Sequence, residues 1–272
     1  MLGRSNALDR TLQFRRSQLV LGAELSEGVN IHAFATDWHF HEGWQFVAFL
    51  RGQRIYRFRN GFLSARPGSL LVIPPLLVHK AECTDDYGNN FKMLVCPSPH
   101  LASYTAHAAF IIIAPRLVHS FITTHDLLMS GDPITDKRTA SFALREILGE
   151  CCSTHLDAIP TPRLISEVKR RISSHVGPGL TLESLSSAVG KSQFHMAHEF
   201  SKYVGLPPLA FYASIRLLRA RWFISEGLSL VETSAMLGFS DQSHFGRQFR
   251  RVYCITPGEY KRGVTRGSLI SV

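Results

Sequence analysis

Two groups of side chains in this sequence have the types and spacing to do chemistry. The first lies in "GFSDQSHFGRQFRRVYCITPGEY", Gly238 to Tyr260. A glycine turn leads into a helix-length run in which Phe245, Phe249 and Val252 recur at i, i+4 and i+7, an apolar stripe for a core. Gln242, Ser243 and Arg247 then fall on another face, near the helix start. In a major groove such side chains read base edges, Arg taking guanine and Gln adenine, while Arg250 and Arg251 further along suit phosphate oxygens. The second group is His39-x-His41 with Gln45, followed by His79. Alternate residues of a strand share a face, so His39 and His41 can point into one interior together with His79. Three imidazoles there suit a divalent transition ion, or they orient a small ligand.

The elements that must position the first group come twice. A shift of 49 residues superposes His195 on His244, Phe200 on Phe249, Pro208 on Pro257 and Phe211 on Tyr260, and a shift of 48 superposes Leu182 on Leu230 and Gly190 on Gly238. Each copy predicts a Ser- or Thr-capped short helix, a glycine turn and a second helix, the helix-turn-helix plan. Between the copies, "PLAFYASIRLLRARWFISEG" predicts one long connecting helix, for seven helices in this half. Ahead of it, "HLDAIPTPR" carries two prolines that bar a continuous helix and predict a linker over 156–163.

Charge divides the same way. Residues 1–162 hold 15 Lys and Arg against 14 Asp and Glu, whereas 163–272 hold 15 against 7, so the basic excess is C-terminal and selects a polyanion partner. With 45% hydrophobic residues the chain can bury the cores of two domains. No apolar run is long enough to span a membrane and no secretory signal is seen, which predicts a cytoplasmic protein. The five cysteines form no Cys-x-x-Cys pair and are expected to be reduced.

Residues 164–265 resemble the DNA-binding domain of AraC/XylS-type transcription regulators, the signature being carried by "GFSDQSHFGRQFRRVYCITPGEYKR". The resemblance implies two recognition helices entering successive major-groove segments. By position it assigns base reading to Gln193, Phe194, Ala197 and His198 in the first unit and to Gln242, Ser243 and Arg247 in the second. Phe194 has two readings, a core contact or a contact to a thymine methyl. Ser186 and Ser234 stand where the family usually has Ala, and Thr233 replaces a usual Ile. The implied partners are double-stranded DNA, a small-molecule effector, a second copy of the chain and RNA polymerase.

The N-terminal half reads as short strands through about residue 96, with Asn60-Gly61 as a hairpin turn. "HFHEGWQ" and "PGSLLVIPPLLVHK" resemble the cupin domains of such regulators, which implies a β-barrel over 1–115 that binds effector through His39, His41, Gln45 and His79. The pattern departs at Ala33 and Leu76, where glycines are usual, and at Gln45, where a metal-ligating Glu is usual. A neutral amide in that place removes a charge from a metal site, so a metal-free pocket without cofactor is the expectation. The rival is a metal-dependent cupin sensor or oxygenase fused to a DNA-binding module. A repair methyltransferase would need a zinc-binding cysteine cluster, which is absent from the sequence, and a non-enzymatic regulator is expected. Arg54, Arg57 and Arg59 are expected on a solvated strand edge rather than on an effector. Residues 116–155 predict two helices, with Phe142, Ile147, Leu148, Cys151 and Cys152 on one apolar stripe, as dimerisation helices. The expected fold class is α+β, a cupin-like barrel plus two helices followed by an all-α domain.

Overall fold

Alternating burial builds the first half. In the computed structural model, which describes residues 11–16, 23–32, 35–83, 88–97, 101, 104, 106, 108–130, 137–152, 161–175, 177–266 and 269–271, strands β1 (Thr11–Arg16), β2 (Glu24–Ile31), β3 (Gly43–Arg51), β4 (Arg54–Phe58), β5 (Gly61–Ala65), β6 (Leu70–Ile73), β7 (His79–Glu82), β8 (Asn89–Pro97) and β9 (Phe110–Ile112) precede the helices. A further strand, β10 (Leu269–Ser271), follows the helices. One sheet has the order β10-β1-β2-β8-β3-β6-β9 and the other β5-β4-β7. Bridges Ala35 to Glu82, His39 to His79 and Phe49 to Pro67 tie them into a barrel-like pair. Ala33, residues 156–160 of the expected linker, and the side chains of Cys151 and Cys152 lie outside what is described.

Strand β3 is buried on both faces, and its two faces serve two cores. Trp44, Phe46 and Ala48 pack outward against helices α1 (Pro115–Ser130) and α2 (Lys137–Cys152), with Phe121, Ile147 and Leu148 opposite. Val47 and Phe49 pack inward with Tyr56 and Phe91, and Gln45 lines the interior cavity. Lys92 fastens α1 to the sheet by bonding Asp126 at 2.5 Å and Glu27 at 2.9 Å. Of the apolar stripe read for α2, Ile147 and Leu148 are buried together with Leu144, whereas Phe142 is 70% exposed.

Among the described residues seven helices follow: α3 (Arg163–Ser174), α4 (Leu182–Val189), α5 (Gln193–Val204), α6 (Pro208–Ser225), α7 (Leu230–Met236), α8 (Gln242–Tyr253) and α9 (Pro257–Arg266). Thr181 and Ser229 close full capping boxes on α4 and α7, and Ser192 and Asp241 cap the recognition helices α5 and α8 through the His195 and His244 amides. Ser186 and Ser234 are buried, and each hydroxyl donates to a carbonyl one turn back, Glu183 and Val231. These polar residues therefore fit the tight crossing without an orphaned hydroxyl. No described helix is long and apolar enough to cross a membrane.

The two turn glycines, Gly190 at φ 63° and Gly238 at φ 68°, are both left-handed, but only Gly238 is also crowded, since a Cβ there would sit 2.6 Å from Pro178 Cβ. Gly190→Ala is expected to cost about 1–2 kcal/mol for the backbone alone. Gly238→Ala adds overpacking and should cost roughly 2–4 kcal/mol. Urea denaturation of the two variants checks this, and equal losses would contradict it.

Candidate effector site and nucleic-acid interface

The inner site is assembled by backbone pairing. His39 N–H donates to the His79 carbonyl at 2.9 Å and His79 N–H returns to the His39 carbonyl at 2.8 Å, while Leu76 N–H holds the His41 carbonyl. This pairing brings His39, His41 and His79, all buried, so close that their ligating nitrogens lie within 4.8 Å of one another. Gln45 joins them from β3 at the wall of a cavity of about 70 Å³. The four residues expected to bind effector are thus together.

Their protonation follows from their partners. His39 Nδ1 sits 2.8 Å from the Asp37 carbonyl and His79 Nδ1 sits 2.9 Å from the Leu77 carbonyl. A carbonyl only accepts, so both rings carry their proton on Nδ1 and present Nε2 as a lone pair. His79 Nε2, both nitrogens of His41 and Gln45 Oε1 have no partner, while the Gln45 amide nitrogen donates to Met93 Sδ at 2.9 Å. Three imidazoles and an amide oxygen form a donor set that fits a divalent transition ion, with the hydrogen bonds behind two of the rings already made.

The second helix-turn-helix unit roofs this cavity. Tyr253, Ile255 and Tyr260 line it together with Arg221 from α6. Arg221 is buried, pairs with Glu24 of β2 and lies 4.7 Å from the Tyr253 ring centre, and the Tyr260 hydroxyl donates to Glu24 at 2.9 Å. Arg54 corrects its expectation. It is buried, bonds Asn89 at 2.8 Å and stacks 4.4 Å over Phe91, because the pleat turns Arg54 and Tyr56 inward while Arg57 and Arg59 face solvent, Arg57 pairing with Glu82. Arg54, Arg221, Glu24 and Tyr260 were missed as site residues because strand pairing and domain docking, not local spacing, bring them to the cavity.

On the other side of the same unit, Gln242, Ser243, Arg247 and Arg250 are exposed on α8, whereas Phe245, Phe249 and Val252 are buried. In the first unit Gln193 and His198 are exposed, Ala197 is half-buried, and Phe194 is 81% exposed with its ring stacked on His198 at 6.0 Å. Of the two readings of Phe194, the core contact is excluded. Arg251 is engaged elsewhere: its guanidinium pairs with the Asp37 carboxylate at 2.9 Å, and its carbonyl accepts from the Asp37 N–H at 2.9 Å.

Burial pushes all three histidines toward the neutral form. His79 is lowered to about 3, His41 falls well below the ordinary 6.5, and His39 is lowered despite the Asp37 carbonyl and carboxylate beside it. The unfolded chain takes up protons on these rings as pH drops below about 6.5, and the folded chain does not. The stability they contribute is therefore complete above about pH 6.5 and is lost progressively as pH falls toward the folded values. The unfolding free energy of chelator-treated protein, from urea denaturation, should fall between about pH 7 and about pH 5, and His41→Met should flatten that slope by up to roughly 1.4 kcal/mol per pH unit. An identical slope in the variant would contradict the neutral assignment.

Comparison with known proteins agrees with both halves of this site. Residues 28–130 match the AraC-like ligand-binding domain, and residues 185–263 match a helix-turn-helix domain. The transcriptional regulator YbfI of Bacillus subtilis is 26% identical over 76% of this chain and 80% of its own length. RclR of Escherichia coli, an RCS-specific transcriptional activator, is 26% identical over 73% of this chain and 77% of its own. The crystal structure of ToxT from Vibrio cholerae shares the fold at a TM-score of 0.65 and 9% identity, covering 94% of this chain and 98% of that one. A ligand-binding barrel docked on a doubled helix-turn-helix is thus a shared plan, and this chain belongs to the AraC-type transcription regulators.

Proposed function

We propose that this regulator reads two successive major-groove segments with α5 and α8, and that occupancy of the barrel cavity sets how the second of these helices meets DNA. One observation carries the reading: α8 shows Gln242, Ser243 and Arg247 to solvent on one face, while its C-terminal end and α9 close the cavity with Tyr253 and Tyr260. Base contacts fall to Gln193, Phe194, Ala197 and His198 in the first unit and to Gln242, Ser243 and Arg247 in the second, with Arg250 on phosphate. Arg251 reaches phosphate only when it leaves Asp37. The effector contacts are His39, His41, Gln45 and His79.

In this reading 1–115 is the effector domain, 116–155 the dimerisation helices, 156–163 the linker and 164–265 the DNA-binding domain. Phe142 and Leu127 leave apolar surface on α2 and α1, which supports pairing of two chains there. RNA polymerase is the further partner, and the protein works in the cytoplasm as a regulator rather than an enzyme. ToxT is described with an unsaturated fatty acid bound. A cavity of about 70 Å³ is far smaller than the roughly 300–1,000 Å³ of pockets for organic ligands, so an occupant of this barrel as it stands has only a few atoms.

The test is a gel-shift comparison on a duplex selected from random sequence by the full chain. Arg247→Ala should cost about 1–3 kcal/mol on the selected duplex and relax preference at one base pair. Arg250→Ala should weaken selected and random duplexes alike and reduce the salt slope by about one. Equal losses on both duplexes for both variants would overturn the assignment.

A further inference from the structure

We propose that the groove between the β4–β5 hairpin and helices α3 and α5 is a second ligand site, separate from the barrel cavity, and that it takes an organic dianion with an apolar body. The site does not depend on the effector role of the barrel, and only its effect on DNA rests on the reading of α5 as a recognition helix.

Size separates the two. The barrel cavity measures about 70 Å³, whereas this groove holds about 670 Å³, within the range of roughly 300–1,000 Å³ that small-molecule sites occupy. Its wall toward the barrel is apolar. Phe58 and Phe62 line it from the hairpin, and Leu76 lines it from the loop between β6 and β7. Phe62 is 63% exposed, and Leu76, also exposed, is held at φ 61°, a left-handed conformation that is an outlier for a bulky side chain. Two large apolar side chains are thus kept open to water on one wall, one of them by a strained backbone.

The rest of the lining is basic. Lys169 of α3 and Lys202 of α5 line the groove from the helices, and Arg59 joins them from the hairpin turn. None of the three has an acidic partner among the described residues. Lys169 is half-buried, and the loss of water lowers its ammonium from the ordinary 10.5 with no carboxylate to restore it. Among the described residues no acid lines the groove, and Glu199 of α5 lines an adjoining hollow of about 450 Å³ that shares Arg59 and Lys202. The two hollows together carry an excess of two positive charges, which one dianion balances. The apolar wall beside them selects a carbon body over inorganic phosphate.

The place of the groove gives the ligand a consequence. Polar ties from the barrel run to α6, α8 and α9, through Glu24 with Arg221 and Tyr260 and through Asp37 with Arg251. The first helix-turn-helix unit meets the barrel through Phe40 and Val78, which are buried in that unit's core. A dianion held between Arg59 and the two lysines adds a charged tie on this side. It braces the C-terminal end of α5, where the Tyr203 hydroxyl bonds Thr161, just ahead of α3, at 3.1 Å. The other end of α5 shows Gln193, Phe194 and His198 to solvent.

The test is calorimetric titration of the full chain with 1-naphthyl phosphate and with naphthalene-1,4-dicarboxylate, against 1-naphthol and inorganic phosphate as controls. At least one dianion should bind in one equivalent and at least about tenfold more tightly than either control, and the tighter dianion identifies the acidic group. Arg59→Gln, Lys169→Gln and Lys202→Gln should each weaken that binding at least about fivefold, and Phe62→Ser should weaken it as well, with circular dichroism showing each variant folded. The bound dianion should slow amide exchange at the end of α5, 201–205. It should also change affinity for the selected duplex at least about fivefold, an effect reduced in Lys202→Gln. Failure of both dianions to bind, or binding undiminished in the three charge variants, would overturn the groove as a site. Equal affinity for 1-naphthol would overturn the charge assignment, and equal affinity for inorganic phosphate would overturn the apolar body. A bound dianion that leaves exchange in α5 unchanged would overturn the bracing. Duplex selection by the ligand-free protein is measured separately, and its absence would sink the regulator reading while calorimetry still decides the site.

Discussion

The pleat of residues 37 to 41 is the constraint on which this molecule turns. Because a strand sends successive side chains to opposite faces, His39 and His41 enter the barrel while Phe40 leaves it toward α6. Pairing with His79 by two backbone hydrogen bonds fixes the register, and a slip of one residue would put Phe40 in the cavity and both imidazoles against the helices. Asp37 ends the segment by holding the last turn of the second recognition helix. One short extended segment thus touches the cavity, the connecting helix and the DNA-reading helix.

A second seam makes the arrangement rigid. Arg221, Glu24 and Tyr260 form a buried cluster between the connecting helix, the barrel and α9. Removing one partner of such a pair leaves an uncompensated charge, typically at about 3–5 kcal/mol, so the seam opens as a unit or stays shut. The apolar core continues across it: Val47, Phe49 and Phe91 of the barrel belong with Leu217, Phe249 and Tyr260 of the helical half. The C-terminal strand β10 pairs with β1 and closes the join from outside. Barrel and second helix-turn-helix unit consequently share one hydrophobic interior, whereas α8 still offers Gln242 and Arg247 to solvent.

What was legible in the sequence was local. The 48- and 49-residue repeat, the capping residues, the turn glycines and the buried stripe of α8 all follow from helical spacing, and the structure has each in place. The β4–β5 hairpin, which turns at Arg59 and Asn60 with Gly61 opening β5 one residue earlier than the expected Asn60-Gly61 turn, and the convergence of His39, His41 and His79 follow from turn chemistry and period-two alternation. The rest depends on partners distant in the chain. Arg54 looked like an edge residue because its inward direction is set by pairing of β4 with β7, and Glu24 had no signal at all until Arg221 and Tyr260 were docked on it. Strand β10 is three residues long, too short for a pattern, and exists because β1 leaves it an edge. Arg251 was read as a phosphate contact from its helix alone, and only the docked barrel reveals Asp37 as its present partner.

The central claim is that the segment lining the cavity and the second recognition helix move as one. Amide hydrogen exchange of the full-length chain, comparing wild type with His39→Ala in metal-free buffer, tests this most directly. Loss of the Asp37 carbonyl contact should speed exchange in the last turn of α8, 249–254, and in the first turns of α6, 208–215, while α4 at 182–189 keeps its wild-type protection. Faster exchange confined to the barrel strands around residue 39, with α8 unchanged, would contradict the account.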